Sequence, residues 1–235
     1  MRIGIMQPYF FPYLGYISLI KQTKNFILLD EVQFIRHGWI ERNRILNPSG
    51  GWIYIAIPLL KHSRKTLIKE IKINNEINWR RKLFAQLEHY KKAPYYKSVI
   101  KRIEEVLENE FEDIVSLNKA CLIAVCDYLE IESDIKVFSQ MNLPIDPINA
   151  PDEWALNICK AIGNTTEYWN PFGGIELFER RKYEQAGIDL SFQKIEFSEY
   201  SQAGKRFESG LSIIDVMMFN DIEKINNMLD RFELL

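Results

Sequence analysis

The chain opens with Met1-Arg2-Ile3-Gly4-Ile5-Met6-Gln7-Pro8-Tyr9-Phe10-Phe11-Pro12-Tyr13-Leu14-Gly15-Tyr16, and this stretch decides the fold. The apolar run 3–6, which prolines follow at 8 and 12, predicts a buried first strand and then a turn-rich loop. A helix is predicted over 15–22. Because ligands of open α/β sheets bind outside the carboxyl ends of the strands, this first loop is the best place to look for chemistry.

Short apolar runs and helical runs alternate along the rest of the chain. Strands are predicted over 26–29, 52–57, 135–138, 167–169 and 190–197. Helical periodicity extends over 78–130 and returns over 151–162 and 177–186. Strands separated by helices predict an α/β fold with a mostly parallel sheet. We expect a single domain over 1–235 with a helical subregion at about 78–130.

Composition and charge exclude several classes of protein. The 235 residues are 47% hydrophobic and 13% aromatic, which excludes a disordered chain. Lys+Arg total 30 against 32 Asp+Glu, so the charge balance gives no sign of general nucleic-acid binding. Cys121, Cys126 and Cys159 are predicted to be core thiols of a reducing compartment. With no signal peptide and no apolar run of about 20 residues, we expect a cytoplasmic protein without a transmembrane segment. The sequence is also compatible with a homo-oligomer.

Aromatic rings and prolines crowd the first loop, whereas ordinary loops prefer small polar residues. The prolines fix the backbone, so the rings lose little entropy when a ligand binds. We therefore predict that the loop lines a site in which Gln7 is a catalytic contact residue. The amides around Gly15 would face an anion at the helix start. The further binding residues predicted here are Pro8, Tyr9, Phe11, Tyr13 and Tyr16. The alternative is that the rings close the end of the sheet as core.

Asp30 ends a predicted strand on the same edge of the sheet. Its carboxylate is a candidate catalytic base. The predicted loop that follows carries Trp39, for stacking on a sugar or base, and Arg42, Asn43 and Arg44, for binding a pyrophosphate. The alternative is a solvated, salt-bridged surface loop.

Two further segments are weaker candidates. His62, in the basic run 61–66, is a candidate catalytic base, although a basic surface turn explains the run as well. Gly173 and Gly174 are candidates for a ligand-facing loop, and a tight turn is the alternative. Ser212 with Asp215 three residues later resembles a helix capping box, which is a structural feature.

Several well-known signatures are absent from the sequence. It contains neither the Gly-x-Gly-x-x-Gly pattern of dinucleotide-binding proteins nor a P-loop, and it contains no Gly-x-Ser-x-Gly elbow. With three scattered histidines and no cysteine pair, we predict no metal site in the protein itself.

The motifs quoted above resemble those of the WbqC-like proteins. The resemblance covers nearly the whole chain. It rests on the runs 6–16 and 30–34, on Trp39 with 42–45, on Tyr168 with Asn170-Pro171 and Gly173-Gly174, and on 209–215. It implies a transferase or ligase of surface-polysaccharide precursor biosynthesis, as in O-antigen and lipopolysaccharide. The implied reaction attaches an amino acid or acyl group through an amide to a nucleotide-linked amino sugar.

A second resemblance concerns the run 11–20 alone. It is similar to the first-loop signature of nucleotidylyl transferases and pantothenate synthetases, in which a His-x-Gly-His motif grips nucleotide phosphates. It implies a Rossmann-like nucleotidylyl-transferase type core with a helical second half, and ATP as a cofactor, with Mg²⁺ if ATP is used. Tyr13 and Tyr16 stand where the two histidines would be, and a tyrosine supplies no cation near neutral pH.

These observations predict an enzyme that acts on a small nucleotide-linked amino sugar. Gln7, Tyr13 and Tyr16 would position the donor, and Asp30 would accept a proton from the amine. One rival is a non-catalytic glycan- or partner-binding protein of the same pathway. Another is a glycosyltransferase, which is weakened because no Asp-x-Asp pair follows a strand.

Overall fold

The computed structural model describes residues 1–204 and 206–235, which form eight strands and eight α-helices. The strands are β1 (Arg2–Met6), β2 (Asn25–Leu28), β3 (Arg42–Leu46), β4 (Trp52–Ala56), β5 (Asp134–Val137), β6 (Glu167–Pro171), β7 (Asp189–Ile195) and β8 (Phe232–Leu234). Six strands form one sheet in the order β5-β2-β1-β6-β7-β8, and β3 pairs with β4 in a separate antiparallel hairpin. The predicted α/β fold with a mostly parallel sheet is confirmed.

The sheet is parallel from β5 to β7, and only the edge strand β8 runs antiparallel to its neighbour. From the central strand β1 the chain moves outward through β2 to β5, and then returns to the other side of β1 for β6 and β7. The strand order therefore reverses between β1 and β6. This arrangement is consistent with a Rossmann-like core, in which such a reversal leaves a crevice at the carboxyl ends of the strands.

Helices cover both faces of the sheet. They are α1 (Leu14–Thr23), α2 (Trp79–Leu87), α3 (Tyr96–Leu107), α4 (Ile114–Tyr128), α5 (Glu153–Ile162), α6 (Arg180–Gln185), α7 (Ile213–Phe219) and α8 (Ile222–Leu229). The larger core cluster packs α1–α4, α7 and α8 on one face, and a second cluster packs α5 and α6 on the other. Cys121, Cys126 and Cys159 are buried free thiols.

Side-chain caps mark the starts of two helices in the helical region. Asn78 caps α2 by accepting from the Arg81 amide, and Asp113 caps α4 by accepting from the Ser116 amide. Gly163 follows α5 with a φ of 84°, the left-handed conformation that favours glycine at a helix end. In the two described stretches, no helix is long and apolar enough to span a bilayer.

Three local predictions are wrong. Residues 42–46 form a strand and not a loop, because alternate side chains pack inward on the core while Arg42 and Arg44 stay outside. The helix predicted over 177–186 begins only at Arg180, because a 3₁₀-helix at Phe172–Leu177 precedes it. Ser212 caps α7 as expected, but the Asp215 carboxylate does not complete a capping box, since it bonds to Tyr90, Tyr200 and Gln202.

Candidate functional site

A cleft of about 1060 Å³ opens at the carboxyl ends of β1 and β6, where the strand order reverses. We call it the switch-point cleft. Its walls consist of apolar and aromatic side chains with a few amides and hydroxyls, and none of the described residues that line it carries a formal charge. The polar and small residues among them are Gln7, Tyr9, Tyr13, Gln33, Asn149, Tyr168, Asn170, Gly173 and Gly174, and the large apolar ones include Ile35, Trp39, Trp154, Leu177 and Phe178.

The first loop, residues 7–13, is held rigidly at one wall of the cleft. Each of four backbone carbonyls accepts a hydrogen bond from a side chain elsewhere in the fold. The pairs are Tyr16 Oη with Gln7 O at 2.8 Å, Asn118 Nδ2 with Pro8 O at 2.8 Å, Asn43 Nδ2 with Phe10 O and Phe11 O at 3.0 Å each, and Ser212 Oγ with Phe11 O at 2.7 Å. These bonds hold Phe11 at a φ of 38°, a conformation that is strained for a side chain of this size.

The structure divides the predicted binding residues of this loop into two groups. Tyr9 and Tyr13 line the cleft, as does Gln7, whose side-chain amide makes no hydrogen bond to the described residues. Phe11 and Tyr16 are buried in the core, and Pro8 is buried next to Asn118, so these three position the loop from behind. One part of the loop therefore lines the cleft, and the other part belongs to the core at the end of the sheet.

The tyrosines of the cleft stay protonated near neutral pH. Burial raises the pKa of Tyr9, and burial together with the neighbouring Tyr9 raises the pKa of Tyr13 to about 12. Their hydroxyls can therefore donate hydrogen bonds to a ligand, but they cannot accept a proton as a general base at neutral pH.

Alkaline unfolding tests the environment of Tyr13. Its raised pKa means that the folded state resists ionisation more than the unfolded chain, whose tyrosines ionise near about pH 10. The stabilising contribution is therefore complete below about pH 10 and is lost as the pH rises towards about 12. We expect the free energy of unfolding of the wild type, relative to Tyr13→Phe, to fall by about 2–3 kcal/mol over this interval in urea titrations. Parallel curves for the two proteins would contradict this environment.

The start of α1 does not fit the phosphate-binding role that the second resemblance implies. Gly15 is buried, and a Cβ there would lie 2.5 Å from Cε2 of Tyr13 and 3.0 Å from Cγ2 of Ile195. The missing side chain thus makes room for the Tyr13 ring and not for a phosphate. Within residues 1–204 and 206–235, no carboxylate lines the cleft and no cluster of three or more metal-ligating side chains occurs. Any Mg²⁺ would have to arrive on the phosphates of a ligand.

Asp30 lies beside the cleft but does not line it. Its carboxylate is buried, and it accepts hydrogen bonds from the Ser139 amide at 3.0 Å and the Ser139 hydroxyl at 2.6 Å. Asp30 follows β2 and Ser139 follows β5, so the contact joins the ends of two neighbouring strands. The geometry favours a positioning role for this side chain, while its role as a base stays a prediction.

Two substitutions of Asp30 separate these roles. Asp30→Asn keeps one acceptor for the Ser139 amide, and its new amide group can donate to the Ser139 hydroxyl. We expect it to cost no more than about 1 kcal/mol of stability, against about 2–3 kcal/mol for Asp30→Ala, and to leave ligand binding in place. Chemical denaturation and calorimetric titration measure both effects. A stable Asp30→Asn variant that binds ligand but has lost all turnover would support the base and contradict the positioning role.

The side chains of Arg42, Asn43 and Arg44 do not form one pyrophosphate fork. Asn43 points into the core, where it holds the first loop. Arg42 donates to the carbonyls of His37 and Gly38 and stacks over Tyr54, 4.0 Å from the ring centre. Arg44 lies nearest to the cleft, since its guanidinium is 5.3 Å from the ring of Trp39, which lines the cleft wall.

His62 lies outside the cleft lining. Its Nδ1 is 2.9 Å from Leu60 O, and its Nε2 faces Arg36 Nε at 3.3 Å. Its ring packs edge-on against Phe34 at 5.1 Å. The structure thus gives this side chain local partners and does not bring it to Gln7.

Gly173 and Gly174 both line the cleft, for different steric reasons. A Cβ on Gly174 would collide with the side-chain amide of Asn170, so the absence of a side chain at Gly174 leaves room for that amide. A Cβ on Gly173 would meet no heavy atom within 4 Å, so this position faces open space. Asn170 itself accepts from the Tyr168 hydroxyl at 3.0 Å and donates to Pro171 O at 3.1 Å, which fixes its orientation.

Sequence reasoning missed the wall opposite the first loop. The segment 148–151, which leads into α5, contributes Asn149 and Pro151, and α5 contributes Trp154. The stiff run Pro144-Ile145-Asp146-Pro147 follows a strand of the same sheet, so its position after a carboxyl end was an available signal. Leu177, which also lines the cleft, carries no local signal that distinguishes it.

The chain is similar to known proteins along almost its whole length. The model of the WbqC-like protein family matches residues 7–227. A Mycobacterium tuberculosis protein with the name "Uncharacterized protein Rv1507c" is 26% identical over 223 residues, which is 93% of this chain and 93% of that protein. No solved structure matches the chain.

Proposed function

The chain belongs to the WbqC-like protein family, and from this premise and the geometry of the cleft we propose that it is an enzyme of surface-polysaccharide precursor biosynthesis. Its substrate is a nucleotide-linked amino sugar, whose sugar ring enters the switch-point cleft. Its reaction is the transfer of an amino acid or acyl group to the sugar amine.

The observation that carries this proposal is the uncharged, aromatic and amide-rich lining of a large cleft at the switch point. Sugar rings offer hydroxyls to hydrogen-bonding side chains and apolar faces to aromatic rings. Gln7, Tyr9 and Tyr13 supply the polar contacts on one wall, and Trp39 and Trp154 supply apolar surface. A cleft of about 1060 Å³ is also at the size expected for a small-molecule site.

The transfer forms a bond between the donor's carbonyl carbon and the sugar nitrogen. The bond between that carbon and its leaving group breaks, and the proton of the amine departs with the leaving group or to solvent. Within this reaction the chain's own residues bind and orient the amine. The neutral hydroxyls of Tyr9 and Tyr13 are suited to donate hydrogen bonds to an oxygen that gains charge. ATP is proposed only as a co-reactant that activates the donor.

Mass spectrometry tests the proposed reaction directly. The purified protein is incubated with deoxythymidine-diphosphate amino sugars, amino acids and ATP with Mg²⁺. We expect the sugar nucleotide to gain the mass of an acyl group, and Gly173→Leu, which fills open space in the cleft, to lower the rate more than Gly173→Ala. Absence of any mass gain, together with unchanged ATP, would contradict the amide-forming reaction.

The second candidate is a non-catalytic glycan-binding protein of the same pathway. It is favoured by the lack of a charged side chain among the described residues of the cleft lining, since such a lining can bind a sugar but offers no charged group as a general acid or base. Sugar nucleotide binding that Gly173→Leu abolishes, without a mass gain under any donor, would favour this candidate over the enzyme.

A further inference from the structure

We propose that the exposed face of the β3–β4 hairpin next to the cleft binds the nucleoside diphosphate part of the ligand. This inference rests on the proposed function, because it assigns a place to the half of a sugar nucleotide that the uncharged cleft does not suit. We call this surface the hairpin subsite, and its residues are Trp39, Arg44, Trp52 and Phe197.

The two arginines on this face differ in what remains free for a ligand. Arg42 donates through Nε and Nη2 to the backbone carbonyls of Gly38 and His37. Among the described residues, the Arg44 side chain makes one hydrogen bond, from Nη2 to Gly210 O at 3.0 Å, so its Nη1 is without a partner there. Its Nε is also unpaired, but it is buried. A guanidinium with unused donors is the group that binds diphosphate oxygens well.

Aromatic rings surround the Arg44 guanidinium. It lies 5.3 Å from the ring centres of both Trp39 and Trp52, and these indoles remain 37% and 41% exposed. Phe197 is 44% exposed, and a Cβ on Gly210 would lie within 4.0 Å of both Phe197 and Arg44. Exposed rings around a cation suit a nucleobase, because a base stacks on an aromatic face while its phosphates meet the cation.

The hairpin subsite is continuous with the cleft. Trp39 belongs to both, and Phe197 lies 6.3 Å from Tyr13, which lines the cleft wall. A ligand with a sugar ring at one end and a flat base with a negatively charged diphosphate at the other therefore matches the two surfaces in order. Burying the diphosphate charges against the uncharged lining of the cleft would be costly, so we expect the diphosphate to lie outside the cleft.

Calorimetric titration with the full chain tests the subsite through nucleotide parts alone. The probes are thymidine diphosphate, uridine diphosphate, the two nucleosides and inorganic pyrophosphate. We expect the diphosphates to bind roughly tenfold more tightly than the nucleosides or pyrophosphate, because they use both stacking and charge. Pyrophosphate that binds as tightly as the diphosphates would contradict a nucleotide subsite.

Matched variants assign the binding to Arg44. We expect Arg44→Gln and Trp52→Leu each to weaken diphosphate binding by roughly tenfold or more, and Arg44→Lys to weaken it less. Arg81→Gln removes the same charge from an exposed position on α2 and serves as the control with unchanged affinity. An equal loss for Arg42→Gln and Arg44→Gln would overturn the assignment, as would wild-type affinity in Trp52→Leu.

The two proposals fail in distinguishable ways. Gly173→Leu narrows the cleft, so it should weaken binding of the whole sugar nucleotide but leave thymidine diphosphate binding unchanged. Diphosphate binding that depends on Arg44, without any mass gain on a sugar, would retain the subsite and reject the reaction. Acyl transfer that is unaffected by Arg44→Gln and Trp52→Leu would retain the reaction and reject the subsite.

Discussion

Replacing Asp215 with alanine is expected to lower the free energy of unfolding by about 3–5 kcal/mol, because three donors lose a buried charged acceptor. The Asp215 carboxylate is fully buried and accepts from Tyr90 Oη and Tyr200 Oη at 2.6 Å each, and from Gln202 Nε2 at 2.9 Å. Tyr90 Oη in turn accepts from the Leu46 amide at 2.9 Å. The network thus ties α7, the hairpin, the helical region and the loop before α7 together.

Urea unfolding of three variants measures how much each part of this network contributes to the free energy of unfolding. Tyr200→Phe removes one donor and leaves the carboxylate two others, so we expect a loss of about 1–3 kcal/mol. Burial raises the pKa of Asp215, although its three hydrogen bonds oppose the shift, so the neutral Asp215→Asn should cost less than Asp215→Ala. A cost below about 1 kcal/mol for Asp215→Ala would show that the network adds little to stability.

Replacing Asn43 is the second change with a large expected effect. Asn43→Ala leaves Phe10 O without a partner and removes one of two donors to Phe11 O, for an expected cost of about 2–4 kcal/mol. Asn43→Asp keeps the shape but turns a carboxylate oxygen towards two carbonyls, so it should cost more than alanine. Both variants should also weaken ligand binding in the cleft, because the first loop loses its fixed backbone.

Asn109 provides the matched control. Its Nδ2 also donates to two carbonyls, those of Glu105 and Val106, but the residue is exposed at the end of α3. Water replaces the lost bonds there, so Asn109→Ala should cost less than about 1 kcal/mol. Denaturation curves for the pair measure the difference that burial makes. Equal costs at the two positions would mean that Asn43 does not hold the loop as inferred.

Much of the fold followed from local signals in the sequence. The apolar run 3–6 and its prolines predicted β1 and the first loop, and helical periodicity predicted helices within 78–130 and 151–162, where the structure has α2 to α5. Such signals are readable because a strand or a helix depends on the pattern of neighbouring residues. The strand β3 was missed because its alternation of Arg42, Asn43 and Arg44 is polar on both faces, so nothing local shows which side packs on the core.

For the site, the sequence by itself determined that Gln7, Tyr9, Tyr13 and the glycine pair would lie at the carboxyl edge of a parallel sheet. That edge follows because these residues come after predicted strands, and the carboxyl ends of parallel strands meet at one edge of the sheet. Only the tertiary structure decided which polar side chains remain free for a ligand. The side chains of Asp30 and Asn43 bind partners 109 and 33 residues away, while Arg44 makes only one side-chain hydrogen bond to the described residues. The reason is that hydrogen-bond partners distant in the chain are set by packing and not by local sequence.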